Sequence, residues 1–275
     1  GKVNAWPLDE GFIDYVVASY GVDSEENPLY TANIVRNSVI QVSGQRLDAS
    51  RIDKSLLVSL HEAEGVETNV ATGYHAIEFL LWGQDVNRSG PGAGARPASD
   101  YDIESCTQPD CARRAAYLRA ATDLLIDDLQ WIVAQWQQGG AARQAITSGD
   151  LTANIAAIFN GLGSFSYGEM AGERLRLGLM LHDPEEEHDC FSDNTHWSHY
   201  NDVLGIQNVY TGSYRKVDGT LITGPSLSDL VAAKLPVLDN QMQLALSSTL
   251  QAMQVLVDSA QAGEAYDQLI GEGNK

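Results

Sequence analysis

A chain of 275 residues with 44% hydrophobic content can bury one large core or two smaller ones, which argues against wholesale disorder. Its formal charge of −20 argues against nucleic acid, whose phosphates need Lys and Arg, and against an anionic lipid surface. No run of about 18 apolar residues occurs, so no helix is expected to span a bilayer.

The opening Gly1-Lys2-Val3-Asn4 reads as the start of a trimmed chain, so the lack of an export leader carries no information. Residues 34–41 and 52–64 carry apolar side chains at three- and four-residue intervals and predict helices. Gly73-Tyr74-His75-Ala76-Ile77-Glu78, followed by Phe79-Leu80-Leu81-Trp82-Gly83, puts an imidazole and a carboxylate three residues apart in an apolar, helix-like run. Positions i and i+3 share a helix face, so both groups can reach one point. A carboxylate in apolar surroundings is costly unless paired or metal-bound, and His-x-x-Glu offers one nitrogen and one oxygen ligand. The plainer alternative is a His–Glu hydrogen bond with a purely structural role. Read backwards, the same helix places Glu64, Glu67, Ala71, His75, Glu78 and Trp82 in one polar stripe.

Residues 87–110, rich in Gly, Pro and Ser, read as an ordered loop. Cys106 and Cys111 have the spacing of a small local disulfide, which implies export; zinc competes, but two cysteines do not complete a tetrahedral site. The third cysteine, Cys190, then reads as a packed thiol. Residues 113–138 form the longest predicted helix, stopped by Gly139-Gly140. Further helices are expected over 151–181 and 227–262, with Pro236 as a start or a kink. Residues 183–224 read as a long ordered loop of acids, histidines and aromatics, with a short hairpin from 208–211 and 220–222 at most. Within it, Glu185 to Glu187 read as solvated, whereas His188, Asp193 and His196 are ligand candidates. Glu169 with Glu173-Arg174 reads as an internal ion pair that could orient a ligand.

The fold class expected is all-α. Two helical bundles of about four helices each are predicted, residues 1–140 with the His-x-x-Glu motif and residues 141–275 with the loop 183–224. A faint echo of residues 73–78 in residues 164–169 suggests approximate symmetry between them.

Three motifs together carry a resemblance over essentially the whole chain: residues 73–85, Ser-Tyr-Gly-Glu-Met-Ala-Gly-Glu-Arg at 166–174, and Glu-His-Asp-Cys-Phe-Ser-Asp-Asn-Thr-His at 187–196. With them the chain resembles the imelysin family, the iron-regulated, insulin-cleaving protease-like group, whose Gly-x-His-x-x-Glu signature falls on Gly73, His75 and Glu78. The resemblance implies two helical bundles with a site between them. It also implies an exported bacterial protein, periplasmic or lipid-anchored to the outer membrane, that works in iron acquisition with other envelope components.

His75 and Glu78 are accordingly the expected metal ligands. Glu67, Glu169, Glu173, Arg174, Asp193 and His196 are additional site candidates. The ion expected is a transition metal, iron first and zinc second; haem, for which His75 would be the axial donor, is an alternative that nothing in the sequence singles out. A metallopeptidase is the alternative, but His-Glu-x-x-His is missing and Phe79 occupies the place where the inverted motif needs its second His. A peptide-binding scaffold with a structural His–Glu pair is the third reading.

Overall fold

In the computed structural model, which describes residues 2–17, 27–87 and 89–273, the architecture is all-α apart from two small hairpins. The chain divides into two units, residues 1–87 with 92–151 and residues 88–91 with 152–275.

The first unit opens with a single helical turn, α1 (Glu10–Ile13), whose Phe12 and Ile13 are fully buried. Residues 34–41 are not helical, although their apolar spacing predicts a helix. The N–H groups of Ile34 and Val35 donate to the carbonyls of Phe12 and Ile13 instead, and the chain then extends into β1 (Val39–Val42). β1 pairs antiparallel with β2 (Gln45–Asp48) around Ser43 and Gly44, which both take positive φ. Two consecutive left-handed residues make the hairpin turn whose twist matches the strands, and that local geometry wins over a short apolar pattern.

Asp53 caps α2 (Lys54–Leu60) by accepting the Leu56 N–H at 3.1 Å. The helix predicted to reach Glu64 ends at His61, because Glu62 and Glu64 both adopt left-handed backbone. The stripe from Glu64 to Trp82 therefore does not lie on one helix: α3 (Tyr74–Trp82) starts only after Gly73. The long α4 (Cys111–Trp136) packs on α2 and α3, and α5 (Ala141–Thr147) follows it. Cys106 and Cys111 form a disulfide at the start of α4.

In the second unit, α6 (Leu151–Ser164) runs into a π-helical stretch, Phe165–Arg176, and out through α7 (Leu177–Leu181). Glycines Gly161, Gly163, Gly168 and Gly172 fall in this rod. Residues 183–224 are not one long loop. They contain α8 (Thr195–Thr211), a 17-residue helix, and the hairpin that follows it is shifted from the expected strands to β3 (Ser213–Arg215) and β4 (Leu221–Thr223). α9 (Leu227–Ala232) begins with a capping box between Ser226 and Asp229. Pro236 is the first residue of α10 (Pro236–Gln261), a start rather than a kink, and α11 (Tyr266–Ile270) ends the unit.

The core of this second unit interleaves three long elements. Met170 from the π stretch, Val203 from α8 and Met253 from α10 form one cluster, and Ile206, Tyr210 and Leu246 form the next. Tyr210 donates its hydroxyl to Asp239 at 2.8 Å, an acceptor shared with Ser228 at 2.6 Å, so the buried carboxylate is satisfied.

Candidate metal centre

Gly73 takes φ +92°, and a Cβ there would lie 2.6 Å from the carbonyl oxygen of Val3 and 2.8 Å from that of Lys2. The motif's glycine is thus required by the backbone, because residues 2–3 run against the start of α3 and Val3 accepts the Tyr74 N–H at 2.8 Å. At the start of the helix and one turn on, His75 and Glu78 are both buried, with His75 Nδ1 3.0 Å from Glu78 Oε2. Trp6 packs on the imidazole with ring centroids 5.3 Å apart. A proton on Nδ1, donated to the carboxylate, is the tautomer in which Nε2 would be the ring nitrogen that binds a metal. An imidazole and a carboxylate, both buried, suit a first-row transition metal. The other candidates divide sharply. Glu67 is exposed in the loop before α3, and Glu173 is exposed on the π stretch. Glu169 lies 3.2 Å from Arg174, whose other nitrogen is 3.4 Å from Asp202, so the expected pair is a three-membered one. Asp193 has left-handed backbone just before α8, and His196 lies in that helix's first turn rather than in a loop. Burial lowers the His196 pKa, opposed by a hydrogen bond to the Asp193 backbone.

The model of the imelysin family, the M75 peptidase group, matches residues 1–275. The chain belongs to the imelysin family. A comparison with curated proteins found no match.

Two sets of buried groups in this imelysin-family chain lie outside the residues that its sequence pattern singles out. In the first unit, Arg114 donates through Nε and Nη2 to the two carboxylate oxygens of Asp14 at 2.6 and 3.1 Å. Arg96 donates to Asp14 at 2.8 Å, lies 3.4 Å from Asp100, and covers the rings of Tyr15 and Phe79. Tyr15 completes the network with a 2.6 Å bond to Asp100, and its pKa is pushed up to about 12 by burial and by that bond. The members are scattered from residue 14 to residue 114, so no local pattern announces them. In the second unit, Glu187 is buried although the run Glu185 to Glu187 reads as solvated. Burial raises its pKa well above the ordinary value, opposed by the Thr195 hydroxyl. His199 is also fully buried, edge-on to Tyr266 with centroids 4.9 Å apart. Desolvation, with Arg174 and His196 adding to it, lowers its pKa to about 4. The signal that could have found it is its place in the helical series Thr195, His199, Val203, Ile206 and Tyr210, all buried.

Proposed function

We propose that this imelysin-family protein binds a transition-metal ion through His75 and Glu78, iron first and zinc second, and serves iron acquisition from an exported location. The observation that carries the reading is the buried His75 Nδ1 to Glu78 Oε2 contact of 3.0 Å. It supports a carboxylate–histidine–metal arrangement in which Nε2 is the ligand and Glu78 either orients the ring or shares the ion. The Cys106–Cys111 disulfide supports export, because such bonds persist in oxidising compartments. Among the described residues no helix is long and apolar enough to cross a membrane.

The deciding experiment loads the protein with Fe(III) or Zn(II), then measures metal content by elemental analysis and affinity by calorimetry. His75→Ala should abolish binding, whereas Glu78→Gln should weaken it about 10–100-fold if Glu78 orients the ring. Asp193→Ala and His196→Ala, run beside them, test the remaining sequence candidates. Equal metal content in wild type and the His75→Ala/Glu78→Ala double variant would leave the pair purely structural.

A further inference from the structure

The first unit carries a groove of about 420 Å³ that uses none of the candidate metal ligands. Asp128, Trp131 and Ile132 of α4 form one wall, and Lys2, Val3 and Asn4 form the other. The spacing of 128, 131 and 132 puts a carboxylate, an indole and an aliphatic side chain on one helix face. The lining is mainly apolar, and its volume is in the range of small-molecule sites.

The carboxylate is what selects the ligand. Asp128 Oδ2 is buried and has no hydrogen-bond partner among the described residues. A buried acceptor left in that state is costly, so the groove is better matched to a donor than to apolar contents alone. Lys2 lines the same groove, but among the described residues no ion pair joins it to Asp128. His61 lies within electrostatic reach of both, yet burial lowers its pKa and its Nδ1 accepts the Ala71 N–H at 3.3 Å. Trp131 is 63% exposed, leaving its ring open to a ligand. A carboxylate beside an indole is a pairing suited to an organic cation, which gains from the charge and from the ring.

We propose that this groove binds an organic ammonium with an apolar body, its nitrogen donating to Asp128 and its body lying against Trp131, Ile132 and Val3. Lys2 then acts as a built-in competitor for the carboxylate. Calorimetric titration of the whole chain with phenethylammonium and with 2-phenylethanol, a neutral probe with the same body, tests it. Wild type should bind the ammonium at least about 10-fold more tightly, a preference of about 1.4 kcal/mol. Asp128→Asn should erase the preference, Trp131→Ala should weaken both probes, and Lys2→Ala should tighten the ammonium alone. Equal affinity for the two probes, a preference that survives Asp128→Asn, or no binding of either overturns the proposal. Should Asp128→Asn fail to fold, by circular dichroism, the tightening of the ammonium alone by Lys2→Ala decides, and equal effects on both probes overturn the proposal. Metal uptake by these variants stays at the wild-type level, so this groove and the metal site succeed or fail separately.

Discussion

Gly73→Ala probes the claim that the first residue of Gly-x-His-x-x-Glu is there for the backbone. At φ +92° and ψ −172° the residue occupies a region essentially reserved for glycine, and a side chain there costs about 1–3 kcal/mol. The added Cβ also meets two carbonyl oxygens at 2.6 and 2.8 Å, and both belong to backbone that cannot swing aside like a side chain. Moving residues 2–3 away gives up the Tyr74 N–H to Val3 bond of 2.8 Å, worth about 1 kcal/mol. Together these predict a loss of about 3 kcal/mol, or roughly 6–12 °C in Tm. The control is Gly44→Ala, at φ +74° with nothing within 4 Å of the new Cβ, which should lose only about 1 kcal/mol. Thermal unfolding compares the two variants, and amide hydrogen exchange at Tyr74 localises the effect. A Gly73→Ala protein no less stable than Gly44→Ala, with its Tyr74 amide still protected, would refute the close-approach argument.

Two further outcomes follow from the buried charges. Arg114→Met leaves Asp14 without its bidentate partner and should cost about 3–5 kcal/mol in urea unfolding. Asp14→Asn on top of it should restore part of that loss, whereas strictly additive costs would mean that the two groups are not coupled. His199 binds its proton near pH 4 when folded and near 6.5 when unfolded. Between those values the unfolded chain holds more protons, so stability falls as pH falls, by at most roughly 3 kcal/mol. Glu187, with its raised pKa, works the other way above its unfolded value, destabilising as pH rises. His199→Phe should therefore flatten the acid side of a stability–pH profile; an unchanged slope would mean that another group titrates there.

Long regular patterns were legible in the chain and short or polar ones were not. The helix expected over 113–138 matches α4 within two residues at each end, because 26 residues give several turns of consistent periodicity. Residues 34–41 mislead because eight residues fit a helix or a turn and strand equally well, and the Ser43-Gly44 turn decides between them. α8 was hidden by its own core face: Thr195 and His199 begin the buried series, so its apolar stripe looks two turns shorter than it is. His75 and Glu78 were readable because both lie within one turn of one helix. The Asp14, Arg96, Asp100 and Arg114 network was not, because it exists only after distant segments meet.

That network also bears on how the first unit assembles. Docking α4 without residues 96–100 leaves one arginine facing one aspartate. Docking residues 96–100 without the segment around Asp14 strands two guanidinium groups beside a single carboxylate. Every partial arrangement thus carries stripped ions lacking some of their partners, and such species are penalised relative to both end states. The balance of two positive and two negative groups therefore favours the complete arrangement of this unit over half-built ones.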